Sequence, residues 1–103
     1  MKELETKATP LYISSGTSKD ITVPYSLISF GVSTFTANFK TEKLWNGITY
    51  LISISNSDAS IKFTLDGVAL FNNKSFSKGA YKIVNLNGNW VYTQISSEPF
   101  KNS

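Results

Sequence analysis

Seven carboxylates are the first residues to ask about chemistry: Glu3, Glu5, Asp20, Glu42, Asp58, Asp66 and Glu98. A glycosidase needs two of them on either side of a sugar bond. Glu3, Glu5 and Glu98 lie near the ends of the chain, and Asp58 and Asp66 sit in turn sequences. Asp20 or Glu42 could form part of an acid pair, but strand entry, turns and solvation already account for them. The chain has no histidine and no cysteine. That removes Ser-His and Cys-His nucleophile pairs, thiolate metal sites, disulfides and the usual proton shuttle at neutral pH. Asn56-Ser57-Asp58 is too sparse for a calcium loop, and no phosphate-cradling G-x-x-x-x-G-K segment occurs. The expectation is a protein that is not an enzyme and has no metal-binding or cofactor-binding residues.

The aromatic residues are the other candidates: two Trp, five Tyr and seven Phe. Most Phe belong in a core. Trp45 precedes the turn pair Asn46-Gly47 and has two readings. An exposed indole there stacks on a sugar ring or fills an interface pocket; a buried one closes an end of the fold. Tyr50, Trp90 and Tyr92 alternate within strand-like runs and join Trp45 as candidate interaction-surface residues.

All ten basic residues are lysines, scattered from Lys2 to Lys101, and the formal net charge is +3. Nucleic-acid binders cluster their basic residues and use arginine for bidentate contacts. Scattered lysine suits solubility and the guarding of sheet edges. MKELETKATP lacks the apolar segment of a signal peptide, and no run approaches the roughly 18 apolar residues of a membrane span. A soluble chain made in the cytoplasm is expected. The sequon Asn73-Lys74-Ser75 therefore has little meaning.

These candidates need elements to hold them. Residues 1–10 are polar, end in proline and read as an arm. Leu11-Tyr12-Ile13 begins the first strand. Asp20 to Val23 reads as a strand stopped at Pro24. Residues 25–31 are open between a helical turn and a strand. Residues 32–39 read as strand. In ITYLISI, Ile48, Tyr50, Ile52 and Ile54 share one face. In SIKFTL, Ile61, Phe63 and Leu65 share another. Asp66-Gly67 is a preferred type I′ hairpin pair, and Val68 to Phe71 returns from it. Asn87-Gly88 does the same between Tyr81–Leu86 and Asn89–Ile95. No helix of ten residues and no internal repeat is visible. Seven or eight short strands predict an all-β fold, a single antiparallel β-sandwich or jelly-roll-like domain over residues 11–96. The polar N-terminal arm precedes it, and a polar tail, 97–103, is expected to be exposed.

The stretches WNGITYLISISNSDASIKFTLDG and KGAYKIVNLNGNWVY together resemble a pattern of small β-rich structural proteins of bacteriophage virions, over residues 45–92. In it a Gly-x-x-Tyr strand leads to an Asn/Ser-rich turn, and a Lys-Gly-x-Tyr strand runs into a Gly-Asn-Trp hairpin. Head-decoration proteins, head fibres and tail-fibre tips use versions of it, frequently as trimers. The resemblance implies a structural role in the virion: capsid decoration or a head fibre, self-assembled and docked on the major capsid protein. It implies no catalytic residue. Residues 1–24, with Leu4, Leu11, Tyr12 and Ile13, form the candidate attachment arm, and the loops around Trp45 and Asn72 to Ser77 are candidate exposed or intersubunit surfaces. Two rival readings remain. One is a carbohydrate-binding module whose platform is Trp45, Tyr50, Trp90 and Tyr92. The other is a small β-barrel binding single-stranded nucleic acid through lysines and aromatics.

Overall fold

The computed structural model describes residues 10–22, 25–40 and 47–100. They form nine strands and two sheets: β1 (Leu11–Ile13), β2 (Ser18–Ile21), β3 (Ile28–Phe30), β4 (Thr34–Phe39), β5 (Thr49–Ile54), β6 (Ser60–Leu65), β7 (Val68–Ala69), β8 (Gly79–Leu86) and β9 (Asn89–Ser96). One sheet has the order β1-β3-β5-β8-β9, the other β2-β4-β6-β7. The all-β expectation holds. The undecided segment 25–31 contributes strand β3, where Ile28 and Phe30 are both buried and face inward.

The expectation of an antiparallel arrangement is corrected. β1, β3 and β5 run parallel, as do β2, β4 and β6. The chain alternates between the sheets, one short strand in each, and repeats this three times. Neighbours within a sheet are therefore separated by a pass through the other sheet. Parallel pairs require such a crossover, whereas hairpins give antiparallel ones. Among the described residues, the connections 14–17, 31–33 and 55–59 are corners between sheets. At one of them the Asn56 Oδ1 accepts the Asp58 N–H at 2.8 Å, an Asx turn. The antiparallel parts come late, where β8 pairs with β5 and β9 with β8, and β7 pairs with β6.

The stacked passes put like on like. Leu11, Ile28 and Ile52 lie in register, as do Ile13, Phe30 and Ile54. In the second sheet Ile21, Phe39 and Leu65 are aligned. Rings from the two sheets meet in the core: Phe30 lies 5.6 Å from Phe35, and Phe39 lies 4.9 Å from Tyr50 and 4.8 Å from Trp90. Phe63 and Phe76, 5.1 Å apart and edge to face, extend this cluster. Each such fully buried side chain contributes on the order of 1.5–3 kcal/mol through loss of apolar surface from water.

A polar ladder crosses the outer face of the second sheet. Asp20, Asn38 and Thr64 occupy one register position on β2, β4 and β6. The Asn38 amide donates to Asp20 Oδ1 at 3.1 Å, and its Oδ1 accepts from Thr64 Oγ1 at 2.6 Å and from the Gly67 N–H at 2.8 Å. One side chain thus ties all three passes to the β6–β7 turn.

Candidate interaction surfaces

The final hairpin is built as its sequence requires. Asn87 and Gly88 have φ of 53° and 92°, the two positive values that a type I′ turn needs. The Gly88 N–H donates to Asn85 Oδ1 at 2.9 Å. From Asn89 to Gln94 the register with β8 is regular. Near the far end it slips: Tyr81 faces Gln94 but Ala80 faces Ser96, so Ile95 is an extra residue, a β-bulge. Gly79 sits beside it with φ of 151°, and a Cβ there would approach the Ser96 carbonyl oxygen at 2.8 Å.

The candidate aromatics are not brought together into one platform. Tyr50 is fully buried against Phe39. Its strand lies between β3 and β8, so its inward face is covered, and the candidate surface role for Tyr50 is corrected to a core role. Burial pushes its phenol well above the ordinary value, with Tyr25 adding in the same direction. Trp90 is half-buried, one ring face stacked on Phe39. Tyr92 is exposed at its rim, and its ring meets Phe71 and Phe76 edge to face at 5.1 and 5.0 Å. The Lys74 ammonium lies 5.7 Å from the Tyr92 ring and 5.5 Å from the Phe76 ring, within cation–π range. Trp45 lies outside the described residues.

The loop Asn72 to Ser77, a candidate exposed or intersubunit surface, is exposed at every residue except Phe76. Val68 to Phe71 does not continue as a strand. Phe71, Asn72 and Asn73 form a turn with φ of 56°, 59° and 62°. Asparagine tolerates this left-handed region, and phenylalanine does not tolerate it well. The ring contacts of Phe71 with Phe63, Phe76 and Tyr92 hold it there. Phe76, within the expected loop, is fully buried and bridges to Ile61 through a pair of backbone hydrogen bonds of 3.0 and 2.7 Å.

Of the candidate attachment residues, Leu11 is half-buried, Tyr12 is exposed and Ile13 is buried. They belong to an edge strand of the first sheet rather than to an arm. Leu4 and the segment 1–9 lie outside the described residues. Leu11, Tyr12, Ile13, Ser18, Lys19 and Phe35 border an open groove of about 320 Å³ at this end. The start of the expected polar tail is tied down, since the Phe100 N–H donates to Ser53 Oγ at 3.1 Å and Glu98 pairs with Lys78 at 3.3 Å.

Sequence reasoning missed one surface. Among the described residues, six large apolar side chains are exposed, and Leu86, Val91, Tyr92 and Ile95 of them lie on the last hairpin. β9 is an edge strand of eight residues, exposed throughout except at Trp90. The absence of any charge in NWVYTQIS was the available signal. Among the described residues no group of three or more acidic side chains is placed to hold a metal ion, and no helix is long and apolar enough to cross a membrane. No protein-family model matches the chain, and no curated protein or solved structure matches it.

Proposed function

We propose that this chain is a non-enzymatic structural component of a bacteriophage virion, a capsid-decoration or head-fibre protein that assembles with itself and docks on the particle. The two sheets are read as the halves of a sandwich. The observation that carries the self-assembly part is the exposed, uncharged strand β9 at the sheet edge. An edge of this kind is a template for another strand, and proteins that stay monomeric blunt theirs. The virion part rests on the resemblance over residues 45–92, which also implies the major capsid protein as partner and a trimer as a common state. A domain of this size has a small core, so burying apolar surface between copies adds stability that one copy lacks.

The sugar-binding reading loses its main support. Tyr50 is in the core and one face of Trp90 lies against Phe39, so neither offers the free ring face that the platform asked of it.

The test is composition of the particle. Phage particles produced by cells that carry the encoding gene, purified on a density gradient, are digested and measured by mass spectrometry. The proposal expects peptides of this chain in a fixed ratio to the major capsid protein. Finding the chain only in the unassembled fraction of the lysate overturns it.

A further inference from the structure

We infer that β9 is a self-pairing strand: two copies join antiparallel about a two-fold axis at Tyr92, fusing their five-stranded sheets into one. This rests on the self-assembly reading, names its contact, and gives a dimer in place of the trimer that the resemblance implies.

The molecule treats its sheet edges unequally. β1 has three residues and β7 has two. β2 has four, with Lys19 and Asp20 among them. Short length and charge are the devices by which edges are kept from pairing. β9 has eight residues, no proline and no charge. Alternation along an antiparallel strand leaves the N–H and C=O of every second residue pointing away from β8. The ligand that such a row accepts is another extended strand.

The occupant follows from the side chains. Trp90 and Tyr92 face the core side, so Val91 and Thr93 face out. The bulge at Ile95 ends the regular stretch, which leaves Asn89–Gln94 as the flat part of the edge. Centring a two-fold on Tyr92 keeps the contact within it. Val91 then lies opposite Thr93 of the second copy, Tyr92 opposite Tyr92, and Trp90 opposite Gln94. β-branched residues face each other on the outer side and aromatic or amide groups on the inner side, the cross-strand pairs that stabilise sheets. Each copy carries a formal charge of +3. β9 contributes no charge of its own to the contact, so no ionised side chain of the strand faces its copy; Lys74, 5.7 Å from the Tyr92 ring, and Lys82, paired with Thr93, flank it from neighbouring segments. The contact is isologous, so it closes at two copies and does not grow into a fibre.

The test uses the natural absence of cysteine. Directly opposed residues of an antiparallel pair have Cα atoms about 4.5–5.5 Å apart, within disulfide range, whereas diagonal ones fall near or beyond its limit of about 7 Å. Full-length Val91→Cys and Thr93→Cys chains are oxidised mildly, each alone and mixed. The expected result is a covalent dimer in the mixture, at least about tenfold more abundant than in either chain alone. Light scattering of the unmodified protein is expected to give a dimer that the double variant Val91→Lys/Thr93→Lys abolishes, with circular dichroism unchanged. A monomer up to about 1 mM overturns both this contact and the self-assembly reading. A trimer, a fibre, or a dimer that survives the lysine variant overturns the β9 contact and leaves self-assembly standing. A dimer without preferential cross-linking in the mixture overturns the register at Tyr92.

Discussion

Tyr50 and Tyr92 lie in runs of the same alternating kind, yet they have opposite environments. Alternation places both rings on the inward face of a strand. It does not say whether the strand is central or at an edge, and that decides the depth. β5 is covered on both sides by β3 and β8, while β9 has a neighbour on one side. The burial of Tyr50 has a consequence for pH. Its phenol stays neutral in the folded protein well past 10.0, the ordinary value at which it ionises once unfolded. Above that pH, ionisation draws the chain towards the unfolded state, so its stabilising contribution, complete below pH 10, is lost as pH rises. Thermal melts are therefore expected to show stability falling above pH 10, and Tyr50→Phe is expected to flatten that fall. An equal slope in the variant would show that Tyr50 is not the group responsible. Phe63 contacts Phe30, Phe39, Phe71 and Phe76, and is nearly inaccessible to solvent. Phe63→Ala is expected to cost about 3–5 kcal/mol in urea unfolding. A loss below 1 kcal/mol would contradict that packing.

At the scale of elements, turn chemistry was legible and strand order was not. Asp66-Gly67 and Asn87-Gly88 both close the hairpins that their sequence predicts, because few other residue pairs accept two positive φ values. The earlier turns carry Ser, Asn and Gly too, but those residues serve equally well at a corner between sheets. Nothing local distinguishes the two outcomes, since parallel pairing is decided by side chains stacked many residues apart. Asn38 is one of those side chains. Removing it leaves Asp20, Thr64 and the Gly67 N–H without the partner they share. Asn38→Ala is expected to lower stability by about 1–3 kcal/mol. A denaturation midpoint unchanged from the parent would show that the ladder is ornamental. Gly79 holds the bulge between β8 and β9. A methyl group there meets the Ser96 carbonyl, so Gly79→Ala is expected to cost about 1–3 kcal/mol and to loosen the end of β9 in amide exchange. Unchanged exchange at Gln94 to Ser96 would contradict this.

For the whole molecule, composition narrows chemistry more than it names a role. The sequence has no His or Cys, and among the described residues most aromatic side chains belong to the core or pack against it. Among the described residues, what distinguishes the surface is the contrast between three short or charged edge strands, β1, β2 and β7, and the long uncharged β9. That contrast was invisible in the sequence, because edge status depends on strand order, although the lack of charge from Asn89 to Ser96 was readable. Copies of this protein associate with each other, and sedimentation velocity from micromolar to millimolar concentration is the sharpest measurement of that. A concentration-dependent shift from an 11.4 kDa species to a multiple of it is expected. A single 11.4 kDa species at every concentration would mean that the copies stay apart.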